Sequence, residues 1–156
     1  ETKNVVQFAL LFGTTWLVNA LVFGGVMLSV LLAVVISRRV VIKKLLIPYV
    51  LLGVAIVIGW LIPQSSLLSL GLPLRLLTAC VLAFAPIFLA NIIFAQRFRD
   101  TSDSANAFAA NLIGAMVGGV LEYSSLLIGY RNLLIVALLL YIAAGFSGRR
   151  HLRPAI

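Results

Sequence analysis

From Trp16 to Ile36 the chain runs without a charged side chain, and it does so again from Leu45 to Ile62. A helix at the surface of a soluble protein keeps a polar face; these runs have none. Crossing the roughly 30 Å hydrocarbon core of a bilayer takes about 20 apolar residues in a helix. In lipid, backbone polar groups must be satisfied internally, which leaves helices and closed barrels as spanning structures. Three further apolar runs follow, Leu72 to Ala95, Ala105 to Ile128, and the short Leu133 to Phe146. Pro73 suits the first turn of the third, where its missing N–H costs nothing. The expected fold class is therefore all-α, a multi-pass transmembrane helical bundle of five spans, forming a single domain.

Composition agrees. The chain of 156 residues is 63% hydrophobic and 10% charged, against about 25% charged in soluble domains. Its solvent is expected to be lipid. The net charge of +8 could suggest nucleic acid, but the basic residues form short clusters between apolar runs rather than lining one face. The single cysteine, Cys80, lies in an apolar run and reads as a small buried hydrophobe.

Val5 to Ile36 is too long for one simple span. Gly13-Thr14-Thr15 is the expected break, a glycine with two hydroxyls able to cap a new start. Val5 to Phe12 then reads as a half-helix at the membrane interface, or as the tail of a preceding span. Residue 1 is Glu and the methionines are Met27 and Met116. The chain thus reads as a processed product, an expression fragment or a segment whose beginning lies elsewhere, and no signal-peptide pattern opens it.

Basic residues assign the sides. Arg38, Arg39, Lys43, Lys44, Arg97, Arg99, Arg149, Arg150 and Arg153 fall on one side of the five-span arrangement; Lys3, Arg75 and Arg131 fall on the other. Cytoplasmic loops carry the excess of Lys and Arg. This places the N-terminus outside and residues 147–156 as a basic cytoplasmic tail, in a bacterial inner membrane. Trp16, Trp60 and Tyr130 fall near outer ends, as an interfacial belt would. Asp100 or Ser104 is the expected N-cap of the fourth span.

Little in the sequence suggests catalysis. The only histidine, His151, lies in the basic tail, so no span offers an axial ligand for haem or pigment, and no metal cluster or Ser-His-acid triad can be assembled. Phosphate-loop and dinucleotide glycine motifs are missing. No cofactor is expected; the expected partners are the bilayer and other transmembrane subunits.

The fourth span carries the distinctive pattern. Ala110, Gly114, Gly118 and Glu122 are four apart and share one helix face, flanked by Asn111, Ala115 and Gly119. Small-xxx-small stripes let helix backbones approach in lipid, where packing rather than hydrophobicity drives association. The expectation is a helix-docking surface. A charge within a span costs about 2.5–3.5 kcal/mol on insertion scales and is usually paired or functional. Glu122 is expected to pair with Lys3, Arg75 or Arg131, or alternatively to line a polar path for protons or cations. Asn91 and Asn111 should hydrogen-bond between helices, with Asn19 similar, and Pro86 should kink the third span.

Three stretches, ETKNVVQFALLFGTTWLVN at 1–19, PLRLLTACVLAFAPIFLANIIFA at 73–95 and NLIGAMVGGVLEYSSLLIGYR at 111–131, together resemble the membrane part of large bacterial spermidine-synthase-like proteins. That resemblance implies a multi-pass membrane module accompanying a soluble aminopropyltransferase- or methyltransferase-like domain. The soluble domain has no counterpart in these 156 residues, so the resemblance implies no enzyme activity for them. The functional expectation is a non-catalytic membrane subunit or anchor in a larger complex, respiratory or photosynthetic in type. The alternatives are a transporter or channel fragment with a polar path at Glu122, and the membrane part of such an enzyme.

Overall fold

The computed structural model describes residues 2–42 and 44–150, without the side chains of residues 2, 64 and 148–150. His151 and Arg153 of the basic tail, and Lys43, lie outside the described residues. Eight helices follow in order: α1 (Thr2–Phe12), α2 (Trp16–Arg39), α3 (Leu46–Leu61), α4 (Gln64–Leu68), α5 (Leu72–Arg99), α6 (Ser104–Glu122), α7 (Ser125–Ile128) and α8 (Leu133–Arg150). Among the described residues there is no strand. Three stretches are long and apolar enough to cross a membrane: α2, α5, and Ser104–Ile128, which joins α6 and α7.

α1 stops at Gly13, whose φ of +90° suits glycine alone. Thr15 then caps α2, its hydroxyl accepting from the Val18 N–H at 3.4 Å. α5 stays helical through Pro86. The fourth expected span is not one regular helix. After Glu122 the chain turns through Tyr123 and Ser124, the Ser124 hydroxyl bonds back to the Leu121 carbonyl, and α7 ends at Gly129 with φ +82°. The N-cap of α6 is also corrected: it is Asp103, not Asp100 or Ser104. The Asp103 carboxylate accepts from the Asn106 N–H at 3.0 Å, the reach an N-cap side chain has.

α2 and α5 form the central pair. Val18 and Val22 pack with Ala79 and Ala83 in one core with Phe8, Leu11 and Leu67. At the opposite end Arg99 and Gln96 of α5 bond to the carbonyls of Ser37 and Val40. Residue numbers rise together along both helices, so they run parallel. The contact face of α2 carries Gly25, Ser29, Ala33 and Ser37, spaced four apart and buried or nearly so. At Gly25 the Phe84 ring packs directly on the helix, where an added Cβ would collide with it. The Ser29 hydroxyl bonds to its own helix at the Gly25 carbonyl, 2.7 Å away, so the stripe buries no unpaired hydroxyl there.

Parallel α2 and α5 require a return strand of chain between them. α3 supplies it, with Leu52 and Ile56 packing on Ile93 in a second core. α8 lies antiparallel to α3: Gly59 faces Leu134, Gly53 faces Leu138, and Gly145 faces Tyr49. α6 leaves the Arg99 end of α5 and reaches the level of α1, where Glu122 shares a cavity with Lys3. No residue of α6 is buried.

Replacing Gly25 by Leu should wedge α2 from α5 by forcing Phe84 off its site. The expected loss is about 1–3 kcal/mol, the usual cost of overpacking, read as a lower unfolding temperature in detergent. The same substitution at Gly24, where an added Cβ meets nothing within 4 Å, should change it little.

Candidate functional site

The polar residues sort into four places, and the strongest polar contacts tie helix ends rather than line a path. At the Arg99 end, Gln96 is 1% exposed. Its Nε2 donates to the Val40 carbonyl at 2.7 Å, and its Oε1 accepts from the Ile42 N–H at 3.4 Å and from Arg99 Nη2 at 2.9 Å. Arg99 Nη1 also reaches the Ser37 carbonyl at 3.5 Å. This latch holds the segment after α2 against α5. The sequence offered one signal for it, a lone amide one turn before a terminal arginine.

At the other end two arginines act on carbonyls. Arg75 Nη2 donates to Leu68 at 2.9 Å and Leu70 at 3.1 Å, and Nη1 to Leu11 at 3.5 Å. Arg131 donates through Nε and Nη2 to the Trp60 carbonyl, at 2.9 Å for Nε. Its guanidinium carbon lies 5.4 Å from the Trp60 ring centroid, a cation–π distance. A cation bonding the last carbonyls of a helix is favoured by their partial negative charge. Arg75 and Arg131 thus donate to backbone carbonyls at helix ends.

Lys3 and Glu122 come together. Both line a cavity of about 340 Å³ with Asn4, Pro86 and Gly118. Asn4 is buried, and Lys3 Nζ donates to Gln7 Oε1 at 2.9 Å. Burial pulls the Lys3 ammonium below its ordinary pKa. Glu122 is the last residue of α6 and lies six residues before the end of the apolar stretch Ser104–Ile128.

A second cavity, about 720 Å³, opens between α6 and the α5–α8 pair toward the Arg99 end. Asn91, Asn111, Arg97, Tyr49 and Tyr141 supply its polar groups. Asn91 Nδ2 donates to its own helix, to the Ile87 carbonyl at 2.8 Å, and not across to another helix; the carbonyl one turn back lies within easy reach of a short amide. Asn111 is exposed on the cleft wall, and Asn19 is exposed on α2. The two cavities share Ala90, Ala137, Leu140 and Tyr141 and so adjoin along one cleft face.

The small-residue stripe faces this cleft. Ala110, Gly114 and Ala115 line the larger part and Gly118 the smaller. At Gly114, Gly118 and Gly119 an added Cβ would meet nothing within 4 Å. The stripe is not seated on a helix of this chain; the helix-on-helix stripe is that of α2. Among the described residues no group of His, Cys, Asp and Glu could hold a metal.

No family model, curated protein or solved structure matches the chain.

Gln96→Leu should strand the Val40 carbonyl and the Ile42 N–H. The expected cost is about 1–3 kcal/mol, that of unsatisfied buried polar groups, measured by thermal unfolding in detergent. Gln96→Glu should recover part of it, since one carboxylate oxygen can still accept from Arg99 and Ile42.

Proposed function

We propose that the chain is a non-catalytic integral membrane subunit or anchor that packs against transmembrane helices of a larger complex. The observation that carries it is α6. This is an apolar helix with no buried residue, in a setting where helices are held chiefly by close packing. Contacts absent within the chain are then supplied from outside it. The outward face of α6, with Ile113, Met116 and Val120 exposed, takes a neighbouring helix without rearrangement. A helix entering on the stripe side would first have to part α6 from α5 and α8.

Five crossings complete the proposal: α2, α3, α5, α6 with α7, and α8. The 16 residues of α3 and 18 of α8 rise about 24 and 27 Å, slightly under the core thickness, a mismatch that local thinning absorbs. The Arg99 end gathers Arg38, Arg39, Lys44, Arg97 and Arg99, the other end Lys3, Arg75 and Arg131. By the excess of basic residues, the Arg99 end is cytoplasmic in a bacterial inner membrane. The resemblance to spermidine-synthase-like proteins fits an anchor working beside a soluble transferase-like domain.

A second reading, a polar path through the membrane, draws on the cavity shared by Lys3, Asn4 and Glu122 and continued toward Asn91 and Asn111.

Extraction from the native membrane in mild detergent should yield a complex larger than the 16.8 kDa chain, with cysteine at Met116 cross-linking to a partner. A lone monomer overturns the subunit reading. In proteoliposomes, Glu122→Gln should leave proton and cation flux unchanged; abolished flux with intact assembly would favour the path instead.

A further inference from the structure

The cleft between α6 and the α5–α8 pair has a shape, a lining and a charge that select one kind of occupant. Its two adjoining parts, about 340 and 720 Å³, are each of the size of ligand sites, roughly 300–1,000 Å³. The walls are mostly small or aliphatic, so an occupant with an apolar body is matched and water is not. The length is also informative. From Arg97 to Ala83, both on α5 and both lining the cleft, the rise is about 21 Å. One bilayer leaflet contributes about 15 Å of hydrocarbon.

Charge gives the direction. Among the described residues that line the larger part, Arg97 carries the charge. It sits at the end of α5 that also carries Arg99 and faces the end of α2 with Arg38 and Arg39. At the far end Lys3 and Glu122 line the smaller part together and nearly cancel. An anionic head is attracted at the Arg97 mouth and gains nothing at the other. Basic pockets between transmembrane helices are a recurrent way of binding anionic lipid headgroups. We infer that the cleft is a binding site for an anionic phospholipid, its headgroup at Arg97 and an acyl chain lying along the stripe of Ala110, Gly114 and Gly118. The missing side chains on the stripe make the room for that chain. The site stands independently of the subunit reading, since it uses the inner face of α6 and not the outer.

The test uses the full chain, reconstituted in nanodiscs of phosphatidylcholine with or without phosphatidylglycerol. Retained lipid is counted by native mass spectrometry after transfer to detergent. The wild type should keep one phosphatidylglycerol in about fivefold preference to phosphatidylcholine, the gain expected from one basic residue near the surface. Arg97→Gln should lose the preference and Arg97→Lys should keep it. Gly114→Leu, which fills the cleft, should lose both lipids. The helical circular dichroism of each variant, matching the wild type, shows that the bundle is intact. Equal retention of the two lipids by the wild type overturns the inference, as does an Arg97→Gln variant with unchanged preference. Displacement of the lipid by millimolar inorganic phosphate overturns it too, because the site would then read the anion alone.

Discussion

The close parallel contact of α2 and α5 is the constraint from which the rest of the arrangement follows. In lipid there is no hydrophobic drive to bring two helices together, so the pair is stable only where backbones come near enough for dense packing. Gly25, Ser29, Ala33 and Ser37 provide that on α2, with Ala79 and Ala83 answering on α5. Phe84 fills the hollow that Gly25 leaves and stacks in turn on Phe8, their ring centroids 5.9 Å apart. One glycine thereby couples the central pair to α1. Because the pair is parallel, α3 must return the chain, and the antiparallel α8 then has a surface to lie on.

Polar side chains finish what packing begins. A helix end leaves carbonyls without partners, and at a membrane interface those groups are only partly served by water. Arg75, Arg131, Gln96 and Arg99 each reach carbonyls at or just past the end of another helix. Arg75 and Arg131 on the less basic side act in this way, and so does the buried amide of Gln96. These groups have structural work that accounts for their presence without a substrate.

Helix identity was legible because the signal is coarse. Runs of apolar residues of membrane length need no knowledge of neighbours, and Gly13 followed by hydroxyls marks a break through local backbone chemistry. Pairing was not legible. The α2 stripe obeys the same four-residue rule as the α6 stripe, yet two of its members are serines and Gly25 is its one glycine, which makes it less conspicuous than Gly114 and Gly118. Spacing tells which residues share a face; it does not tell whether another helix occupies the space in front of them. The partner of Glu122 was similarly underdetermined. Lys3, Arg75 and Arg131 were equivalent in sequence, and only the fold brings Lys3 to the same cavity while turning the two arginines onto carbonyls. The turn at Tyr123 and Ser124 was hidden because an apolar flank on both sides looks like one continuous helix.

α6 poses the opposite case to α2. Both present small residues, but α2 uses its stripe to approach a helix and α6 leaves its stripe facing open space. A glycine face on a helix exposes backbone and offers few atoms for dispersion, so a cleft lined by it holds nothing by itself. It becomes stabilising when a slender occupant runs along it and contacts both walls at once. The same missing side chains that weaken α6 as a member of its own bundle therefore suit it to hold an extended chain. The bulky outer face, meanwhile, remains available to a neighbouring helix. A helix built with two such unlike faces is suited to lie between this chain and whatever surrounds it.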